Sequence, residues 1–210
     1  MARPIAPIGF LKSSLLAVAV ATAITALVLL AASEAQAACA PAASAGLNPP
    51  PGTVVTCTGV TNQNAPIGYG TGSQIGLTVN NFGTIFSLTG APGLFLSSDN
   101  TINNSGTISS ASGEGIRSGT GTTIANSGAI SGTAAGIVSG AGTTITNTGT
   151  ITNSSVGVAA VQLSGAGNTI INSGTITGLG DWAISLGSGS GTVDNYGTIL
   201  GLTALNDGGN

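Results

Sequence analysis

The chain has 210 residues, of which only 4% are charged and 3% aromatic, while 41% are apolar and 35 are glycine. Low charge with this much apolar content excludes the profile of intrinsic disorder, and the shortage of bulky side chains excludes a wide core, leaving a thin, regularly layered one. Beyond residue 37 a single cation, Arg117, faces five carboxylates, so the basic footprint that phosphate backbones require is missing and no nucleic-acid partner is expected.

The first element is a targeting signal. Arg3 and Lys12 precede an uncharged run from Leu15 to Ala32, and Ala35-Gln36-Ala37 supplies the small residues a signal peptidase accepts. This predicts a signal peptide over residues 1–37 with cleavage between Ala37 and Ala38. An uncleaved membrane anchor is the competing reading, since 18 residues is near the lower limit for a span. The Ala-x-Ala site decides against it. A lipid-modified Cys39 is disfavoured, because Gln36 stands where the lipidation signal has Leu.

A cap is expected over residues 38–76. It holds both cysteines, Cys39 and Cys57, with 17 residues between them. An even pair in an exported chain is most simply a disulfide, contributing about 3 kcal/mol through loop closure. A redox or metal pair has nothing to support it: there is no C-x-x-C spacing and no histidine.

Residues 77–210 are a repeat. Asn81, Asn104, Asn126, Asn147, Asn172 and Asn195 recur at spacings of 23, 22, 21, 25 and 23. Two residues after each stands Gly83, Gly106, Gly128, Gly149, Gly174 or Gly197, and four after each stands an Ile. Two before each is Val or Ile, and three before each is Thr. β-branched residues favour strands, and an Asn followed two residues later by Gly reads as a corner with left-handed backbone. A third apolar stretch follows in each unit, as in Gly115-Ile116 and Ala183-Ile184. Three strands joined by corners make one turn of a parallel β-helix, so the expected fold is all-β, a right-handed parallel β-helix of about six turns. The Asn column should form an amide ladder, each side chain bonding the next.

Residues that could carry chemistry are few. Glu114 and Asp181 share nearly one column but lie three turns apart, wider than a glycosidase pair requires. Asp99 and Asp194 occupy other columns, and Arg117 reads as a solvated partner of Glu114. Gly178-Leu179-Gly180-Asp181-Trp182-Ala183 matches a dinucleotide-binding pattern without its strand-to-helix context. Trp182, Phe82 and Tyr196 are isolated aromatics. No catalytic, cofactor-binding or metal residue is therefore assigned, and no cofactor is expected. One outward hydroxyl array, Thr107/Ser109, Ser131, Thr150/Thr152 and Thr175/Thr177, resembles the grids that bind ice, although Phe86, Ala129 and Leu200 interrupt it.

With these residues in hand, the chain resembles the N-terminal part of an autotransporter passenger, a type V secretion protein of Gram-negative bacteria. The resemblance rests on the signal peptide, the early Cys39/Cys57 pair, the Gly68-Tyr69-Gly70-Thr71-Gly72 lead-in and the N-x-G-T-I turns. It implies export to the periplasm, passage through an outer-membrane β-barrel, and display at the cell surface or release, with a surface receptor or other passenger chains as partners. The chain departs from the family in carrying no barrel-like strands after Ile199. The expected function is a non-catalytic surface or secreted passenger stalk with adhesion as its candidate activity; a polysaccharide-active enzyme and an ice-binding protein are the alternatives. The last turn is expected to fray or to associate end to end.

Overall fold

The computed structural model describes residues 39–43, 48–180 and 182–206; the signal segment and its Ala37–Ala38 cleavage site lie outside them, as does Asp181. Among the described residues there is no helix, and so none long and apolar enough to cross a membrane. The chain forms three parallel sheets of seven strands each, one strand per sheet per turn, which makes a parallel β-helix of about seven turns.

The first turn is built from β2 (Val54–Cys57), β3 (Val60–Thr61) and β4 (Tyr69–Gly70), which start the first, second and third faces. A short strand, β1 (Cys39–Ala40), closes the first face from below by pairing antiparallel with β2. The strands repeat upward from Thr78–Asn81, Thr84–Ser87 and Leu94–Phe95 to Gly191–Asn195, Thr198–Leu200 and Thr203–Asn206.

The period-two pattern of each strand sets the core. In Thr101–Asn104 the Ile and the second Asn are buried, while Asn103 is exposed and Thr101 half-buried on the outward side. Pairing in register then stacks like on like. Val79, Ile102, Ile124, Ile145 and Ile170 form one column, each 0% exposed. Ile85, Ile108, Ile130, Ile151 and Ile176 form the second, also 0% exposed. The third runs from Tyr69 through Leu94, Ile116, Ile137 and Val161 to Ile184. No single turn could bury its own three side chains, because each is covered by the residue above and the residue below. Ile has little rotamer freedom to lose in a strand, which suits it to such a column.

The β-helix begins inside the segment expected only to cap it. β2 pairs in parallel with Thr78–Asn81, setting Val55 beneath Val79 and Cys57 beneath Asn81. Cys57 thus occupies the ladder-Asn position of the first turn, and Thr61 the Ile position beneath Ile85. Only Val55 and Gly59 keep the column identity, which hides this turn from a search for the repeat. The Cys39–Cys57 disulfide, with a Cα–Cα distance of 3.9 Å, closes the bottom of the Asn column.

The left-handed corners are not where the sequence placed them. Gly83, Gly106, Gly128, Gly149, Gly174 and Gly197 do not have positive φ. They are glycine for a steric reason: a Cβ at any of them would overlap the carbonyl oxygen of the corner glycine one turn below, from Gly59 beneath Gly83 to Gly174 beneath Gly197. The left-handed backbone that recurs from turn to turn lies instead at the third corner, two residues before the repeat Thr, while at the first corner only Gly59 of the first turn has it, at φ 70°. At the third corner Gly76, Asp99, Gly121, Gly142 and Gly167 have φ of 64, 58, 66, 67 and 77°.

Candidate functional site

The first corner carries the most ordered polar array in the molecule. Nδ2 of Asn81 donates to Oδ1 of Asn104 at 2.7 Å, and the same bond repeats from Asn104 to Asn126, Asn126 to Asn147, Asn147 to Asn172 and Asn172 to Asn195 at 2.7–2.8 Å. From Asn81 to Asn172 each Nδ2 also lies against the carbonyl of its own corner glycine and the carbonyl three residues after the ladder Asn of the next turn, as Asn104 does with Gly106 and Ala129. The backbone joins in: the Asn104 carbonyl accepts from both Ser127 and Gly128. Asn81 through Asn172 are at most 2% exposed, so every amide here is removed from water and must be paired. The array is structural, since it leaves its polar atoms no capacity for a ligand.

A second set of buried amides went unread in the sequence. Asn100 accepts from the Leu77 N–H at 2.9 Å and donates to the carbonyls of Gln74, Ser97 and Ser98. Asn168 accepts from the Thr143 N–H at 2.9 Å and donates to Gly165. Both sit directly before the repeat Thr, a column filled by Thr122 and Thr143 in the turns between. An Asn or Thr at that position in four units was the available signal. At the base, Tyr69 is fully buried, donates from its hydroxyl to the Pro41 carbonyl at 3.0 Å, and has its pKa pushed up to about 12 by that burial.

The charged residues are scattered. Glu114 and Arg117 form an ion pair at 2.6 Å on the third face. Asp99 stands at a third corner in left-handed backbone, and Asp194 on the first face of the last turn. No group of three or more metal-ligating side chains occurs among the described residues. Gly178, Leu179 and Gly180 lie at a second corner and Trp182–Ser185 is a strand, so these glycines do not open a helix.

The first and second faces are rich in hydroxyls. On the second face Thr107, Ala129, Thr150, Thr175 and Thr198 stack in one outward column, with Ser109, Ser131, Thr152 and Thr177 beside them. Phe86 lies in register below that second column and Leu200 above it. On the first face the column Thr78, Thr101, Thr123, Thr144, Thr169 and Thr192 is unbroken. The second corner is different in kind: Leu88, Val156, Leu179 and Leu202 project there, 61–85% exposed. Phe82 and Tyr196, also exposed, stand at the first corner in the second and last turns.

Comparison with known proteins finds no matching family model, no similar curated protein and no similar solved structure, so the geometry alone carries the reading that follows.

Proposed function

We propose that the chain is a non-catalytic passenger stalk of autotransporter type, exported and then held at or released from the cell surface, with adhesion as its activity. The observation that carries this reading is the construction of the molecule: nearly all its buried polar capacity is spent joining turns to one another, while the first and second faces are rich in outward hydroxyls and carry Asp194 as their one charge among the described residues. Such a rod is suited to spacing and presenting a surface. The export signal and the disulfide fit an oxidising compartment outside the cytoplasm. The scattered carboxylates and the absence of histidine from the sequence leave no acid–base pair to serve a polysaccharide-cleaving reaction.

The test is fractionation of a Gram-negative host expressing the full chain, followed by the same chain fused ahead of an outer-membrane translocator barrel. The periplasmic product should begin at Ala38, carry the Cys39–Cys57 bond, and in the fused form reach the surface and increase attachment of the cells. Cytoplasmic protein that keeps Met1 and two thiols would sink the export reading. Surface display without any gain in attachment would sink the adhesive one.

The unbroken threonine column of the first face favours ice binding as the second reading. It predicts thermal hysteresis that a Thr144→Tyr substitution abolishes.

A further inference from the structure

The outward column beside the first-face threonines is uneven, and its unevenness makes a site. It runs Asn80, Asn103, Ala125, Thr146, Ile171, with each residue paired in register to the next. Ala125 is the shortest of these. At its rung the surface drops into a cavity of about 180 Å³, bounded by Asn103 below, Thr146 above, and Ser127 and Thr148 at the corner. The ladder residues Asn104 and Asn126 form its back wall.

The wall residues are committed, but the rim is not. One N–H of Asn103 goes to Oδ1 of Asn80 at 2.8 Å, and its other N–H and its side-chain carbonyl oxygen make no hydrogen bond with the described residues. The Ser127 and Thr148 hydroxyls donate to the carbonyls of Asn104 and Asn126 at 3.3 Å, so their oxygens remain as acceptors. The Thr146 hydroxyl makes no hydrogen bond with the described residues and is able both to give and to accept. The floor is the Ala125 methyl group.

A lining mostly of apolar carbon, with a few amide and hydroxyl groups at its rim, complements a ligand with a C–H face and hydroxyls around its edge. No charged group lines the cavity, and Arg117 belongs to the third face, so nothing offsets the desolvation of a phosphate or a carboxylate. Asn103 and Thr146 are two rungs apart, about 9.6 Å between backbones, a span that admits one six-membered ring with a hydroxyl towards each. We infer that the Asn103–Ala125–Thr146 notch binds one neutral sugar ring, such as a terminal hexose of a surface glycan. This deepens the adhesive reading and rests on it for its biological setting. With no aromatic platform in the notch, a single ring binds weakly, with a dissociation constant on the order of 1 mM, and strength comes from many displayed chains engaging a glycan-coated surface together.

The experiment is titration of the isotope-labelled full chain with glucose, galactose, mannose and N-acetylglucosamine, with glycerol and inorganic phosphate as controls, followed by nuclear magnetic resonance. At least one sugar should shift the Asn103 side-chain amide and the Ala125 backbone amide saturably, and both controls should leave them in place. Ala125→Phe fills the notch at an exposed strand position that favours aromatic residues, and should weaken binding by about tenfold or more. Thr177→Phe, on the second face, should leave it unchanged. No saturable shift with any sugar, an equal response to glycerol or phosphate, or undiminished binding by Ala125→Phe would each overturn the assignment. The surface-displayed Ala125→Phe chain separates this inference from the adhesive reading. If it still attaches cells and the parent chain binds no sugar, adhesion stands and the notch falls; sugar binding by a chain that attaches nothing leaves the notch standing alone.

Discussion

Two columns of glycine run up this β-helix, and they are glycine for different reasons. At the first corner, from Gly83 upward, φ is not positive, but each glycine sits on the carbonyl of the one below, so the constraint comes from the neighbouring turn. At the third corner of the upper turns the space is open: a Cβ on Gly142 or Gly167 would find nothing nearer than 3.9 Å, yet their φ values are 67° and 77°. The constraint there is the residue's own backbone. The pattern of residues follows from this difference. The first-corner column admits no exception in the six turns from Gly83 to Gly197, whereas the third corner accepts Asp99 at φ 58°. An acidic residue with a short side chain tolerates left-handed backbone at modest cost, but no side chain can share a carbonyl's volume.

The largest effect should come from putting one methyl group into the first column. Gly149→Ala forces the turns on either side apart and should cost about 3 kcal/mol or more in chemical denaturation. A cost near 1 kcal/mol would mean that the corner relaxes and that the two columns are alike. Breaking the ladder beside it comes next. Asn126→Ala leaves the Asn104 donor and the Asn147 acceptor buried without their partner, and should cost about 2–4 kcal/mol. Hydrogen exchange should show the loss concentrated in the turns holding Asn104 and Asn147; an even loss along the rod would show that the ladder does not couple neighbouring turns locally.

The base of the rod offers a pH test, because there the first corner ends in a disulfide and the third face in Tyr69. The phenol is raised to about 12 by burial, so the unfolded chain loses its proton first as pH rises. Its contribution is therefore complete below pH 10 and is lost between about pH 10 and 12, amounting to roughly 2–3 kcal/mol. Unfolding followed across that range should show the decline, and Tyr69→Phe should flatten it. An equal decline in Tyr69→Phe would place the alkaline sensitivity elsewhere. The smallest effect belongs to the third corner: Gly142→Ala should cost about 1 kcal/mol and Gly142→Asn less, since asparagine tolerates left-handed backbone better. If Gly142→Ala proves as costly as Gly149→Ala, the distinction between the columns fails.

The sequence by itself determined the period, the three inward columns and the corner Asn. These are local, repeated signals: a strand of β-branched residues and a turn residue at a constant offset mean the same thing in every unit, and their recurrence supplies the stacking. It could not show which atoms a repeated residue meets, because those belong to a turn some 22 residues away. The Gly column is the clearest instance, since an Asn-x-Gly reads locally as left-handed backbone and only the stacked carbonyl shows otherwise. The same holds for Cys57, whose place in the Asn column appears only once β2 is paired beneath Thr78–Asn81. Asn100 and Asn168 are separated by two turns that carry threonine at the same position, so their shared corner is apparent only in register. The notch at Ala125 is a step between three turns, and a step has no representation in any one of them. What repeats could be read along the chain; what depends on the difference between one turn and the next was decided by stacking.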